Sequence, residues 1–353
     1  MPEKESLFDK IDITKYPVKK LVAIPLIILL ISFAVLAYTY MQPPIYPHSP
    51  HSPVHLGIDF IGGTMVKIRT DETGEELTAK FSAFPNVLVG ETYVGNEKMI
   101  RFGPMSKSQK DELENMLDDQ YEPGQYEIPK SMNPVFGEQF RIKAVRALKY
   151  AFGGMAAVVF FAFITVVSPF TVVPSFAITL PRLLQYFFRA LLFLVPSFAV
   201  IFAAFSDIVI AVACMDVIGL ELSLGTVAAL LMLIGYSVDS NILLTTNLLR
   251  KKGELNEKVR NAMRTGITMT STTLSAVFAM FLVSSSIHLF SAHFAPIPIL
   301  RDISIVLLFG LTMDLLNTWL LNAGILRWYV ERKERKRYVK RGAEKVKKKK
   351  VKV

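Results

Sequence analysis

Three aspartates lie inside segments that are long and apolar enough to cross a bilayer. They are Asp207, Asp239 and Asp314. A carboxylate within hydrocarbon costs at least ~2.5 kcal/mol, so acids in such positions often mark ion or proton pathways. Because the three acids occupy separate segments, the sequence predicts a proton or cation path, with Asp239 as its leading candidate.

Each aspartate also has a structural alternative. Asp239 is compatible with a hydrogen-bonded contact between helices, although coupling to a proton or ion is the favoured interpretation. For Asp207 and Asp314, packing and coupling are equally favoured. Thr312 and Asn317 are close enough in the sequence to satisfy Asp314 locally.

Other polar side chains accompany the acids. The supporting candidates are Tyr236, Ser237, Asn241, Arg264, Thr268, Ser271 and Thr272. The hydroxyls of the fifth apolar segment have two equally favoured interpretations. They bond to carbonyls of their own helix, or they line a hydrated path opposite the acids. A fifth segment packed beside Asp239 would favour the second interpretation.

Residues for enzyme chemistry are poorly represented. The sequence contains no glycine-rich phosphate-binding loop, no recognisable Ser/His/Asp set and no Cys/His cluster. His48, His51 and His55 have a spacing that metal binding tolerates, but they lie in a proline-rich linker without an organised scaffold. We therefore predict no catalytic activity, no metal and no cofactor.

Composition places the chain among membrane proteins. Of its 353 residues, 52% are hydrophobic. The net charge of +10 comes from the C-terminal tail, because residues 327–353 carry 14 Lys and Arg against 3 Glu. A basic tail beside a membrane segment is suited to anionic lipid. The rest of the chain carries no basic excess for nucleic acid, so no nucleic-acid partner is predicted.

Six apolar runs approach or exceed the ~20 residues that a helix needs to cross ~30 Å of hydrocarbon. They are Leu21–Tyr40, Tyr150–Val167, Pro196–Ile218, Leu224–Leu248, Gly266–Ser286 and Ile303–Leu326. The predicted fold is an α-helical membrane protein with six transmembrane helices and one external domain. The predicted divisions are a cytoplasmic N-terminus 1–20, a first transmembrane helix 21–42, an external domain 43–149, a five-helix transmembrane domain 150–326 and a basic cytoplasmic tail 327–353.

Basic residues predict the orientation. The N-terminus, the loop Arg250–Arg260 and the tail are all basic, and with six spans all three lie on one side. The positive-inside rule assigns that side to the cytoplasm of a multi-pass protein in the cell membrane. The segment Thr171–Val195 also falls there and contains Arg182 and Arg189. It predicts an interfacial helix or an extension of the third span, rather than another crossing.

The external domain has alternating strand and helix signals. The predicted elements are a strand at Gly63–Thr70, a helix at Glu72–Phe84, a hairpin of Asn86–Val94 and Lys98–Phe102, a helix at Lys107–Gln120 and a strand beginning at Tyr126–Ile128. This βαββαβ order predicts an α+β domain of the ferredoxin-like type. Asp216 and Glu221 flank the turn between spans three and four and are predicted to be solvated.

A glycine-rich motif opens this domain. Its defining residues are Gly57, Asp59, Phe60, Gly62 and Gly63. The favoured interpretation is structural, a turn leading into a strand. Asp59 would then cap a turn or bind a neighbouring backbone amide.

The run Gly57-Ile-Asp-Phe-Ile-Gly-Gly resembles the signature that follows the first span in the SecD and SecF protein-export proteins. Further resemblances to SecF occur in the same order along nearly the whole chain, at Asn133–Phe140, Phe205–Ile210, Glu221–Leu230, Ile234–Leu243 and Arg264–Leu274. The segment Gly310–Leu326 resembles the archaeal form. In bacterial SecF the acid usually stands one position later than Asp239, where this chain has Ser240.

The resemblance implies a function in protein export. A SecF-like subunit of the resistance-nodulation-division superfamily would associate with SecD and act beside the SecY channel. It would use the proton gradient to help draw exported polypeptides outward. Two alternatives stay open: a proton-driven transporter of small molecules or lipids with the same architecture, and a translocon scaffold that transports nothing. The segment Thr171–Val195 has no counterpart in the usual family pattern.

Overall fold

The structure is a computed structural model that describes residues 13, 16–43, 51–91, 97–122, 124–167, 180–251, 253–285, 297–332 and 335. The chain divides into two compact units. The helical unit comprises Met1–Ala34, Tyr150–Cys214 and Ala228–Val353. The sheet unit comprises Val35–Lys149 and Met215–Val227. The sheet unit therefore contains the turn between the third and fourth predicted spans in addition to the predicted external domain.

The regular elements follow one another along the chain. In order they are α1 (Val18–Met41), α2 (Ile58–Ile61), β1 (Gly63–Arg69), α3 (Gly74–Lys80), β2 (Leu88–Glu91), β3 (Glu97–Phe102), α4 (Lys107–Gln120), β4 (Tyr126–Met132), α5 (Pro134–Val167), α6 (Leu180–Val217), α7 (Leu224–Arg250), α8 (Leu255–Ser285) and α9 (Pro298–Leu316). A π-helical segment, Asn317–Asn322, follows α9 directly. Residues 323–332 are α-helical again.

The sheet unit is built on four antiparallel strands in the order β2-β3-β1-β4. Its elements follow the predicted βαββαβ sequence. Alternate residues of β1 and β3 turn inward and meet apolar residues of α3 and α4. The buried core includes Val66, Ile68, Leu77, Phe81, Ile100, Phe102, Leu113 and Leu117. A sheet with one face covered by two helices gives this small unit its hydrophobic core.

Local capping explains where the two helices of the sheet unit begin. Thr73 and Glu76 form a reciprocal capping box at the start of α3. Ser106 and Gln109 form the same arrangement at the start of α4. Each pair satisfies backbone N–H groups that a helix end otherwise leaves open. The structure therefore shortens the helix predicted at Glu72–Phe84, while α4 has the predicted limits.

A polar contact fastens α3 to the end of α4. Lys80 Nζ lies 2.8 Å from Glu72 Oε1, and Tyr121 donates its hydroxyl to Glu72 Oε2 at 3.0 Å. Burial raises the pKa of the Tyr121 hydroxyl above its ordinary value. Tyr121 therefore stays neutral and donates this hydrogen bond throughout the physiological range.

The helical unit contains most of the membrane-spanning segments. Among the described residues, five helices are long and apolar enough to cross a membrane: Val18–Met41, Pro134–Phe163, Val195–Val217, Leu224–Arg250 and Leu255–Ser285. The sixth predicted span, Ile303–Leu326, does not form one uninterrupted α-helix. There α9 ends at Leu316, and the π-helical segment replaces the next turns.

The predicted insert continues directly into the third span. The backbone is helical from Leu180 to Val217 without interruption. This is the extension of span three that was one of the two sequence-based alternatives. The beginning of the insert, residues 171–179, lies outside the described residues.

Candidate functional site

Two buried aspartates from different helices meet inside the helical unit. Asp207 on α6 is 0% exposed and Asp314 on α9 is 1% exposed. Asn241 Nδ2 lies 3.3 Å from Ser237 Oγ and 3.5 Å from Asp314 Oδ1, and Ser237 Oγ donates to Asp207, so both carboxyl groups belong to one set of hydrogen bonds. Two carboxylates that share a buried site are unfavourable while both are ionised. The geometry is therefore suited to hold a proton.

Asp207 receives donors from two other elements. Ser237 on α7 donates from Oγ to Asp207 Oδ2 at 2.5 Å. Asn317, the first residue of the π-helical segment, donates from Nδ2 to Asp207 Oδ1 at 2.6 Å. Asn317 Nδ2 also lies 3.1 Å from Ser206 Oγ. These contacts fix the Asp207 carboxyl group between α6, α7 and the π-helical segment.

Asp314 is held mainly by hydroxyl groups. Ser240 Oγ lies 2.8 Å from Asp314 Oδ2 and 3.0 Å from Oδ1. Thr318 donates from Oγ1 to Asp314 Oδ1 at 3.2 Å. A serine hydroxyl has one proton and rotates freely, so Ser240 can follow whichever oxygen of Asp314 is unprotonated.

Two asparagines extend the polar contacts towards the end of the π-helical segment. Asn322 donates from Nδ2 to Asn241 Oδ1 at 2.6 Å. Asn241 donates in turn to the backbone carbonyl of Ser237 at 2.7 Å. We call the whole set the buried acidic cluster; it comprises Asp207, Ser237, Ser240, Asn241, Asp314, Asn317, Thr318 and Asn322.

The buried acidic cluster contains two carboxyl groups and neutral partners. Among the described residues, all the hydrogen-bond donors to Asp207 and Asp314 are hydroxyl or amide groups. Two ionised carboxylates in this position would be buried without a compensating cation, which is strongly unfavourable. A proton bound by the pair removes that cost. The site is therefore suited to take up and release a proton.

The π-helical segment is what brings three of the partners into place. Asn317, Thr318 and Asn322 all lie within it and are buried. A π-helical turn is wider than an α-helical turn and often occurs at functional sites. Here it follows the turn of α9 that contains Asp314. Its Asn317 binds Asp207, its Thr318 binds Asp314 and its Asn322 binds Asn241.

The structure places two of the three predicted acids in the buried acidic cluster and the third outside it. It brings Asp207 and Asp314 together with Ser237 and Asn241, as described above. Asp239 lies on the exposed face of α7, next to the exposed side chain of Tyr236. Successive residues of a helix point roughly 100° apart. Ser240 therefore faces the cluster in place of its neighbour Asp239.

The predicted hydroxyls of the fifth span also lie on an exposed face. Thr268 donates to the backbone carbonyl of Arg264 at 2.7 Å. Thr272 donates to the carbonyl of Met269 at 2.7 Å. Arg264 and Ser271 are exposed on the same helix. The contacts of Thr268 and Thr272 agree with the first interpretation, in which hydroxyls bond to their own helix.

The prediction that Thr312 and Asn317 satisfy Asp314 locally was wrong. Thr312 is exposed and donates to the carbonyl of Leu308 at 2.7 Å. Asn317 turns towards Asp207 instead of Asp314. Sequence reasoning missed Ser240, Thr318 and Asn322. The signal for Thr318 and Asn322 was the recurrence of polar side chains four and eight positions after Asp314, which places them near one face of a helix. Ser240 had no such signal, because it lies on a different helix from Asp314.

The glycine motif forms a second polar site, in the sheet unit. Gly57 donates its N–H to Leu222 O at 2.8 Å, and Leu222 donates to His55 O at 2.7 Å. Gly62 and Gly63 have φ values of +80° and +135°. A Cβ on Gly63 would lie 2.4 Å from the backbone oxygen of Phe102. These glycines therefore permit both the turn and the close approach of β1 to β3.

Asp59 lies at the centre of this second site. Its side chain is buried, and Oδ2 accepts the backbone N–H of Leu224, the first residue of α7, at 3.0 Å. Its Oδ1 lies 2.5 Å from Lys130 Nζ on β4. The motif acid therefore binds a backbone amide, but one that is 165 positions away in the sequence.

The prediction that Asp216 and Glu221 are solvated was wrong. Asp216 is buried; its Oδ1 lies 3.0 Å from His55 Nδ1, and it accepts a hydrogen bond from Thr39. Glu221 forms an ion pair with Arg101 on β3. Both acids lie on a turn that belongs to the sheet unit, and the linker and sheet residues of that unit cover them. Hydropathy alone could not reveal that these two acids are covered by distant residues.

These features define a multi-pass membrane protein with an α+β unit after its first span. Residues 176–332 match the family described as protein export membrane protein SecD/SecF, C-terminal, and residues 49–73 match the SecD/SecF GG motif. The "Protein-export membrane protein SecF" of Methanolacinia petrolearia is 40% identical over 321 residues, covering 91% of this chain and 97% of that protein. The chain belongs to the SecF family.

A second relative agrees with this membership, and a solved structure matches the fold. The SecF of Haloferax volcanii is 38% identical, over 91% of this chain and 95% of that protein. The crystal structure of SecDF, a translocon-associated membrane protein from Thermus thermophilus, matches the fold with a TM-score of 0.58 at 19% identity. The match covers 88% of this chain and 38% of that longer chain.

Proposed function

We propose that this chain is an accessory subunit of the Sec machinery, which acts with SecD beside the SecY channel to promote protein export. The proposal rests on membership of the SecF family. We further propose that the proton gradient drives this activity through the buried acidic cluster. The observation that carries this second step is that two buried carboxyl groups, those of Asp207 and Asp314, share one set of neutral hydrogen-bond partners.

A change of protonation in this cluster alters the packing of three elements. With one proton bound, the cluster holds one carboxylate and one neutral carboxyl group. Without it, two buried carboxylates in the same cluster repel each other. Because α6, α7 and α9 each contribute side chains, losing the proton favours an arrangement in which these helices move apart. A local charge change of this kind is sufficient to bias an element with two states.

The exposed face of α7 supports a partner in the membrane. Met232, Tyr236 and Asp239 are exposed there, and a Cβ on Gly235 would have no atom within 4 Å. A carboxylate facing lipid is costly, and a glycine allows another helix to approach closely. We propose that SecD covers this face and provides a cation or a hydrogen-bond donor for Asp239.

The SecD proposal is tested by co-purification from native membranes. We expect SecD to be recovered with the wild-type chain, and Asp239→Lys to reduce the recovered SecD at least about tenfold, because like charges across an interface cost several kcal/mol. Glu254→Lys is the matched control, since Glu254 is an exposed acid outside the predicted spans. Equal recovery of SecD with both variants would contradict an interface at Asp239.

We propose that both termini are cytoplasmic and that the sheet unit lies outside, where it adopts a ferredoxin-like arrangement. The basic N-terminus, the basic loop between α7 and α8, and the basic tail support this orientation. With six crossings, all three lie on the same side of the cell membrane. The polar composition of the sheet unit is consistent with contact with exported polypeptides.

Protease digestion of inverted membrane vesicles tests the orientation. We expect trypsin to remove the C-terminal tail and to leave the sheet unit intact, because inverted vesicles expose the cytoplasmic face. Detergent should then render both accessible. Cleavage within the sheet unit before detergent is added would overturn the proposed orientation.

A further inference from the structure

Asp59 joins three elements that are distant in the sequence. It lies in the one-turn α2, binds the first N–H of α7 and forms an ion pair with Lys130 of β4. We propose that Asp59 is a positioning residue that fixes the first turn of α7 to β4, so that the two move together. This inference rests on the proposed function, because α7 also contributes Ser237 and Ser240 to the buried acidic cluster.

The helix does not need Asp59 in order to begin. Ser223 and Thr226 already cap α7: the N–H of Ser223 donates to Thr226 Oγ1 at 2.7 Å, and the N–H of Thr226 donates to Ser223 Oγ at 3.2 Å. Such a reciprocal pair is how α3 and α4 begin, with no distant acid among their caps. A local pair is sufficient to start a helix. The contact of Asp59 with Leu224 is therefore not needed to start α7. Its effect is to fix where the first turn of α7 lies.

Burial makes the contact between Asp59 and Lys130 hard to separate. Asp59 has 2% of its side chain exposed, whereas Lys130 keeps 31%. Moving Lys130 away would leave a buried carboxylate with the N–H of Leu224 as its remaining contact, which is strongly unfavourable. A negative charge at a helix N-terminus is itself favourable. Asp59 therefore holds β4 and the start of α7 together from both sides.

The start of α7 and the buried acidic cluster are connected by one continuous helix. The α-helix runs from Leu224 to Arg250 without interruption. At 1.5 Å per residue, Ser237 and Ser240 lie roughly 20 to 24 Å along it from Leu224. An axial shift at the first turn therefore moves the two serines relative to Asp207 and Asp314. Ser237 and Ser240 donate to those two acids, so the shift changes how well a shared proton is held.

Other contacts keep the start of α7 attached when Asp59 is altered. Leu222 pairs with Leu56 in a short parallel bridge, and Glu221 pairs with Arg101 of β3. A neutral substitution at Asp59 therefore removes one link and leaves the fold in place. This allows coupling to be tested separately from folding.

The experiment compares Lys130→Met, Asp59→Asn and the double variant in the full chain with SecD. Export of a Sec substrate into inverted vesicles is measured with and without an imposed proton gradient, at matched levels of complex, and thermal unfolding is measured in detergent. Lys130→Met alone leaves a buried charge and should lower the unfolding temperature. The double variant has no such charge, so its unfolding temperature should return to the wild-type value. A coupling contribution typically corresponds to at least about a fivefold effect, so we expect the gradient-dependent increment of the double variant to fall by that factor.

The matched control is Lys80→Met, which breaks the ion pair with Glu72 in the same unit. It should leave the response to the gradient unchanged. If the double variant recovers both thermal stability and the full response, Asp59 is a structural residue and the inference is wrong. If the wild-type complex shows no response to the gradient, the proposed function fails instead.

Discussion

Asp314→Asn should abolish the gradient-driven part of export. The substitution preserves size but removes a titratable carboxyl group and one of its two accepting oxygens, so the cluster can no longer share a proton in the proposed way. Export with an imposed gradient should fall to the level measured without one. Asp207→Asn should have the same effect, since the two buried carboxyl groups belong to the same set of hydrogen bonds. The measurement is export of a Sec substrate into inverted vesicles at matched levels of the SecD complex.

Asp302→Asn is the matched control for this prediction. Asp302 lies on the same helix as Asp314, but it forms an ion pair with Arg301 outside the cluster. It should preserve the response to the gradient. A full response in both Asp207→Asn and Asp314→Asn would show that the buried pair is structural. Asp239, on the exposed face, would then be the remaining candidate for coupling.

Gly63→Ala should unfold the sheet unit under conditions where the wild-type chain resists protease. The alanine Cβ would lie 2.4 Å from the backbone oxygen of Phe102, and φ is +135°. Strained backbone together with steric overlap costs at least about 3 kcal/mol, a large part of the stability of a unit this small. The measurement is trypsin digestion of the full chain over a series of urea concentrations.

Substitutions at two other glycines distinguish backbone strain from steric overlap as the cause of the destabilisation. Gly124 has a φ of +94° and no atom within 4 Å of an added Cβ, so Gly124→Ala reports backbone strain alone. Gly90→Ala introduces a methyl group 3.7 Å from Met99 O, an ordinary contact. We expect the order of destabilisation to be Gly63, Gly124 and Gly90. If Gly63→Ala were no worse than Gly124→Ala, close approach of β1 to β3 would not be what requires the glycine.

Sequence patterns predicted the elements of the chain better than their contacts. Apolar length located α1, α7 and α8 within a few residues at most boundaries, apart from the early start of α8, because length and hydropathy are local properties. Alternation located the strands, and the apolar spacing of Leu113 and Leu117 located α4, in the same way. The start of α3 was missed because Thr73 caps the helix, so that α3 begins at Gly74, two residues after the predicted start at Glu72.

The environment of each acid was harder to predict, because it depends on which way a side chain faces. Asp239 and Ser240 are neighbours in the sequence, but α7 buries the serine and exposes the aspartate. Nothing in the local pattern distinguishes them, since that difference is fixed by the packing of α6 and α9. For the same reason Asp216 was predicted to be solvated: His55, its partner, lies 161 positions earlier in the linker.

The division of the sheet unit between two parts of the chain has a consequence for its biosynthesis. Asp59 is synthesised 165 residues before Leu224, its backbone partner. At 5 to 20 residues per second, this interval is roughly 8 to 33 s. During that time the buried carboxylate of Asp59 lacks the N–H of α7, and His55 lacks Asp216. The sheet unit therefore completes its fold only after the third span has been made and the fourth has begun. Its maturation is tied to the order in which the helices enter the membrane.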